Sequence, residues 1–182
     1  MLAKPKDKII FGLVARGVHH KGWEEAILAI IELKKQNQGM RIELRLYGAS
    51  DYLDELKEKY KTYKDFILFF GATNEPIKVV QEFTVGLLPT YLPQEEMPFT
   101  IIEYLACQVP VIATNKGAIP EMLDAGGDIA GEIIGFDTNG HACVQELMKT
   151  MCRFVEDENY RSEKTLLAAL AFEKFNIKNT VK

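Results

Sequence analysis

A single α/β domain built on a doubly wound parallel sheet of about six strands, with helices on both faces, is the fold this sequence predicts. Short apolar runs that read as strands alternate with amphipathic stretches at helical spacing, and glycine follows the early strands. The length of 182 residues fits one domain, or one half of a larger two-domain protein.

Lys8–Val14 (KIIFGLV) reads as a strand buried on both faces, followed by Ala15-Arg16-Gly17 and a loop to Lys21-Gly22. Trp23, Ile27, Ile30 and Ile31 recur at helical spacing, with Glu24, Glu25, Glu32, Lys34 and Lys35 on the other faces, and Asn37–Gly39 stops that helix. Ile42–Tyr47 is a second strand closed by Gly48. Leu53, Leu56 and Tyr60 mark a charged amphipathic helix, and Phe66–Phe70 a third strand ending at Gly71. Pro76–Phe83 is a short helix, Thr84–Leu88 a fourth strand ending at Pro89, and Val109–Ala113 a fifth. Ile119–Leu123 reads as a short helix and Gly131–Ile134 as a last strand. Two helices finish the chain, over about 141–155 and 159–174.

Apolar residues make up 47% and charged residues 26%, ordinary for a globular core, and the net charge of −4 gives no reason to expect nucleic acid as a partner. Lys4, Lys6 and Lys8 form a small basic cluster that reads as a solvated edge, in a Pro/Lys-rich start that could be the stump of a linker. No apolar run reaches the length of a transmembrane segment, and no signal-peptide pattern follows Met1. Cys107, Cys143 and Cys152 leave one thiol unpaired and lack metal-ligand spacing, as expected of reduced thiols in a cytoplasmic chain.

The chemistry concentrates in Glu95–Glu121, EEMPFTIIEYLACQVPVIATNKGAIPE. Glu95 stands before a helix opened by Pro98, and Glu103 lies one to two turns inside it, beside Ile101, Ile102 and Leu105. The free amides at that helix start favour an anion. An acid at each end and an anion site between them suit a diphosphate flanked by hydroxyl-bearing groups, and a nucleotide sugar is such a ligand. Arg16 and Lys21 fall at the end of the first strand, where a bidentate fork and a point charge can clamp a diphosphate. Arg16, Gly48, Gly71, Glu95 and Thr114 all follow strands, so they converge on the crevice outside the carboxyl ends of the sheet.

Each residue also has a plainer reading. Arg16 and Lys21 could be surface cations, Glu95 a solvated loop carboxylate like Glu96, and Glu103 a half-buried acid held by a structural lysine. Met97, Phe99 and Tyr104 read better as core than as pocket lining; His19 and His20 read as exposed, and His141 as opening a helix. The spacing of the pair around a helix start favours function. No GxGxxG, GxxxxGK[ST] or GxSxG occurs, which removes the dinucleotide fingerprint, the P-loop and the hydrolase elbow. No Asp-x-Asp is present to hold a metal on a diphosphate.

R-x4-K-G (Arg16, Lys21, Gly22), E-x7-E (Glu95, Glu103), P-V-I-A-T (Pro110–Thr114) and G-x-I-P-E (Gly117, Ile119, Pro120, Glu121) together resemble the group 1, or family 4, retaining glycosyltransferases. The resemblance covers about Lys8 to Phe175 and implies the C-terminal, donor-binding half of a GT-B enzyme, a Rossmann-like domain. It implies that Arg16 and Lys21 bind the donor pyrophosphate, that Glu95 contacts hydroxyls of the transferred sugar and serves catalysis, and that Glu103 contacts the ribose. Amides around Phe99 and Thr100 would meet the phosphates or the sugar. It implies transfer of a hexosyl group to a glycan or other hydroxyl acceptor, as in polysaccharide biosynthesis. No cofactor and no metal is expected, the nucleotide-diphosphate sugar being the donor substrate.

The chain departs from the pattern at three places. Ala15 and Gly17 flank the arginine where Gly and Leu are usual, Pro98 replaces a glycine and removes one amide, and Ala49-Ser50 lacks a second glycine. The expected arrangement is one donor domain over residues 1–182, its N-terminal acceptor domain supplied in cis or in trans. The full enzyme could then sit peripherally on the inner face of the membrane. A non-catalytic nucleotide-sugar or partner-binding module is the alternative, and a sugar-nucleotide epimerase a weaker one, since Glu95 alone gives it little acid/base chemistry.

Overall fold

The computed structural model describes residues 8–36 and 38–175. Lys4 and Lys6 of the basic cluster, the Pro/Lys-rich start and Asn37 therefore lie outside the described residues. Six strands form one sheet: β1 (Ile9–Val14), β2 (Ile42–Tyr47), β3 (Ile67–Phe69), β4 (Val85–Leu88), β5 (Val111–Thr114) and β6 (Gly131–Ile134). All neighbours are parallel, in the order β3-β2-β1-β4-β5-β6. The expected doubly wound α/β fold is present. The order reverses between β1 and β4, and open α/β sheets place their ligands beyond the carboxyl ends of the strands at such a reversal.

Helices cover both faces. On one, α1 (Trp23–Gln36), α2 (Asp51–Lys59) and α6 (Val144–Glu156) bury Trp23, Ile27, Ile30, Leu53, Leu147 and Phe154 against Phe11, Leu13, Leu44 and Leu46. On the other, α3 (Pro76–Val80), α4 (Phe99–Ala106) and α5 (Ile119–Leu123) enclose Ile10, Phe83, Leu88, Ile101 and Tyr104. The last helix, α7 (Glu158–Phe172), gives Tyr160 to the first core and Leu167, Ala168 and Ala171 to the second.

Some boundaries differ from those read in the sequence. The helix expected from Pro76 to Phe83 ends at Val80 because Phe83 turns into the core. The fifth strand begins two residues later than expected, at Val111. His141 does not open a helix. The Asp137 carboxylate accepts the amides of Asn139 and His141 at 2.8 and 3.0 Å, and a bridge between Phe136 and Ala142 closes that loop before α6 begins.

One packing detail sets the position of the site. Gly12 on β1 and Gly86 on β4 are register partners. A Cβ on Gly12 would fall 2.1 Å from the Phe83 ring, and one on Gly86 2.7 Å from the Tyr104 ring. Their bare backbone leaves room for both rings, so α4 lies close over the two central strands. The Tyr104 hydroxyl lies 3.2 Å from the carbonyls of both Gly12 and Leu87 and accepts the Val14 amide at 3.1 Å. One turn earlier, the Thr100 hydroxyl donates to the Val14 carbonyl at 3.2 Å. Side chains four apart thus fasten the start of α4 to the end of β1. Tyr104→Phe leaves the part-buried Val14 amide without its side-chain acceptor, a loss of about 1 kcal/mol, the low end for an orphaned group. Urea denaturation should show that loss as a lower midpoint with an unchanged slope.

Candidate functional site

The motifs recognised in the sequence interlock around Glu95. Beyond β1, the Arg16 carbonyl accepts the Val18 amide at 2.8 Å and the Trp23 indole N–H at 3.1 Å. A single 3₁₀ turn, His19–Lys21, then ends at Gly22. Gly22 has φ of 76°, and a Cβ there would meet the Pro89 carbonyl at 2.1 Å. The glycine of the lysine–glycine pair thus allows the β1 loop to press against the end of β4. That contact carries Lys21 inward: it is 7% exposed and its ammonium donates to Glu95 Oε2.

Glu95 is 8% exposed, so the reading of a solvated carboxylate fails for it and holds for exposed Glu96. Two residues behind it complete the setting. Thr90, fully buried, brings its hydroxyl 3.0 Å from Glu95 Oε2, and Thr114, at the end of β5, donates its hydroxyl to the Thr90 carbonyl. From the other side the G-x-I-P-E turn closes on the loop. Gly117 has φ of 51°, and a Cβ there would strike the Glu95 carbonyl at 1.9 Å. The next amide, Ala118, donates to the Glu96 carbonyl at 2.8 Å.

The remaining candidates stand along α4 and the β1 loop. Arg16 is exposed at the carboxyl edge of β1. Pro98 is the N-cap of α4, its φ of −71° already suited to a helix start, and the Ile101 amide returns to the Pro98 carbonyl at 3.0 Å. Phe99 and Thr100 then present the first-turn amides, which have no helical acceptor to reach. Phe99 is not core, as the sequence suggested: it is 74% exposed, and Met97 is 54% exposed. The reason is register, since Thr100 and Tyr104 take the face of α4 that meets the sheet. Phe99 and Glu103, four apart, share another face. Glu103 is half-buried, and desolvation raises its carboxyl pKa above the ordinary value.

Sequence reasoning missed Thr90, although its place just past Pro89 at the end of β4 was a usable signal. It also put Glu25 on the polar side of α1. Glu25 is instead buried, with Oε1 3.3 Å from His141 Nδ1. Burial raises the Glu25 pKa, partly offset by His141 and Tyr91. The Tyr91 ring stacks on His141 with centroids 4.4 Å apart. No group of three or more metal-ligating side chains gathers among the described residues, and no described helix is long and apolar enough to cross a membrane. None of the three cysteines is in a disulfide.

Lys21→Met alone leaves Glu95 as an uncompensated buried charge and should cost about 3–5 kcal/mol. The double substitution Lys21→Met/Glu95→Gln should recover most of that loss in chemical denaturation. For Glu103, the raised pKa means that the folded chain holds its proton more tightly than the unfolded one. The stabilising contribution of that proton is full below the ordinary value of 4.5 and is lost as pH rises through the folded value. Glu103→Gln should therefore melt at a higher temperature than the parent at pH 7, with the gap closing toward pH 4. Partial exposure keeps the gain small.

Residues 1–164 match the family model described as glycosyl transferases group 1. Over 121 residues the chain is 30% identical to WcaL of Salmonella typhimurium, provisionally assigned as a colanic acid biosynthesis glycosyltransferase; the match covers 62% of this chain and 29% of WcaL. HepE of Anabaena, solved in complex with UDP-glucose, superposes with a TM-score of 0.74 at 19% identity over 92% of this chain and 44% of HepE. WaaG, a glycosyltransferase involved in lipopolysaccharide biosynthesis, gives a TM-score of 0.74 at 16% identity over 93% of this chain and 44% of its own. The chain spans less than half the length of each of these relatives. The superpositions establish a shared Rossmann-like fold, and the family match covers the loops and helix that build the site. This chain belongs to the group 1 glycosyltransferases.

Proposed function

We propose that the chain, over residues 1–182, is the C-terminal donor-binding domain of a retaining GT-B glycosyltransferase. It binds a nucleotide-diphosphate sugar whose hexosyl group passes to a hydroxyl acceptor, such as a growing glycan. The observation that carries this reading is the buried Lys21–Glu95 pair at the sheet's switch point, beside the first turn of α4. Complexes of HepE with UDP-glucose support the choice of ligand class.

In this reading Arg16 and Lys21 take the diphosphate. The Phe99 and Thr100 amides add partial positive charge where the leaving group becomes more anionic, the charge that must be stabilised for the glycosidic bond to break. Cations and helix dipole do the work that a metal does in other transferases, and no metal or cofactor is required. Glu95 takes sugar hydroxyls and acts in catalysis, and Glu103 takes the ribose, whose hydroxyls would supply the partners its half-buried carboxylate needs. The acceptor is oriented by an N-terminal acceptor domain in cis or in trans. Without that opposing surface the domain binds donor weakly and transfers little, because the acceptor is not held against the anomeric carbon. The working compartment is the cytoplasm, with the full enzyme able to rest on the inner face of the membrane.

Calorimetric titration with UDP-, GDP- and ADP-sugars, without added metal, tests this. We expect binding to one base class, weakened about tenfold or more by Arg16→Ala and by Glu103→Ala, the scale of one charge-assisted hydrogen bond. Equal affinity in parent and variants would remove those residues from the site. Absence of binding to every nucleotide sugar, also after the opposing domain is supplied, would end the donor-domain reading.

A further inference from the structure

Thr90 is the one fully buried hydroxyl of the β4 loop that touches the Glu95 carboxylate. Its oxygen lies 3.0 Å from Glu95 Oε2 and 3.0 Å from the His20 carbonyl, and it accepts the Leu92 amide at 3.3 Å. A threonine hydroxyl carries one proton, so it donates to one of those two acceptors at a time. The two acceptors differ in their other partners. The His20 carbonyl already receives the Tyr91 amide at 2.8 Å, whereas Glu95 Oε2 is the oxygen that Lys21 holds.

Lys21 and Glu95 have separate tasks in the proposed donor site, yet in the ligand-free chain they are paired with each other. An anion that draws the ammonium toward itself withdraws positive charge from a carboxylate that is more than nine-tenths buried. A buried carboxylate then needs another donor, or its position and charge become costly to keep. We propose that Thr90 is a positioning residue for this site. Its hydroxyl proton turns from the His20 carbonyl onto Glu95 when the donor's diphosphate engages Lys21, and so keeps the carboxylate aimed at the sugar. The Thr114 hydroxyl on the Thr90 carbonyl fixes the backbone about which that rotation occurs. The inference deepens the nucleotide-sugar reading and rests on it.

The test uses the full chain as parent, Thr90→Val, which keeps the shape and removes the hydroxyl, and Thr90→Ser, which keeps the hydroxyl. The probes are UDP-glucose and UDP, or the corresponding pair for whichever base binds. Thr90→Val should lose about tenfold in affinity for the nucleotide sugar, the scale of a hydrogen bond to a charged group. Its affinity for the bare nucleotide should fall much less, and Thr90→Ser should restore the difference. An equal loss for sugar nucleotide and bare nucleotide, or no loss for either, overturns the proposal; so does a Thr90→Ser as impaired as Thr90→Val. If Thr90→Val does not fold, Thr90→Ala is judged by the same criteria. If the parent binds no nucleotide, the donor reading falls by itself. The turn of the hydroxyl is then decided without ligand by removing the ammonium, from the Glu95 carboxyl carbon resonance in isotope-labelled Lys21→Met. A resonance displaced when Thr90→Val is added to Lys21→Met, and restored by Thr90→Ser, upholds the positioning role, and one unchanged by Thr90→Val overturns it.

Discussion

Taking an ammonium and a carboxylate out of water together is the constraint around which this domain is arranged. Lys21 and Glu95 come from loops 74 positions apart, and both are withdrawn from solvent. Removal from water costs several kcal/mol per ion, and attraction in a low-dielectric interior offsets it only where the surroundings fix the geometry. The surroundings here do so with backbone rather than bulk. Gly22 lies against Pro89, Gly117 against the Glu95 carbonyl, and Thr90 and Thr114 bridge the ends of β4 and β5. Replacing a buried ion pair by apolar side chains of similar volume is often neutral or stabilising, so stability alone does not account for its polarity. In the proposed function, a ligand with an anionic centre and hydroxyls beside it does.

The sheet delivers these loops to one place because its order reverses between β1 and β4. Their two glycines let α4 descend onto the sheet, and Thr100 and Tyr104 hold it at the β1 terminus. The helix dipole therefore points into the crevice from a fixed seat. Glu103 sits one turn in, its carboxylate partly desolvated before any ligand arrives. This is preorganisation in the ordinary physical sense: the cost of ordering the site is met during folding, and less remains when a ligand binds.

Much of this was legible in the sequence. The bounds of Ile119–Leu123 and Gly131–Ile134 follow from local pattern, as does the apolar face of α1. Strand ends placed Arg16, Lys21 and Glu95 at a common edge. Local pattern could not give direction within that edge. Lys21 and Glu95 were assigned to different parts of a ligand, whereas in the ligand-free fold they face one another. Glu25 reads as polar surface on a helical wheel, and its burial is offset in part by His141, which arrives from a loop 116 positions away, and by Tyr91. Phe99 reads as core by its hydrophobicity, but its place in the first turn of α4 turns it outward. For Lys21, Glu95 and Glu25 the deciding contact is long-range, which periodicity does not encode.

The path of α7 has a consequence for how the molecule comes apart. A doubly wound sheet has two apolar interiors separated by its strands, and in principle each could loosen by itself. Here one helix contributes Tyr160 to the first interior and Leu167, Ala168 and Ala171 to the second. Detaching it exposes both sides at once. Opening one layer is thereby linked energetically to opening the other, and partly unfolded forms that keep one layer intact are disfavoured. The candidate site beyond β1 and β4 gains from that linkage. A helix that contributes none of the candidate site residues keeps both walls of the platform in a single cooperative unit.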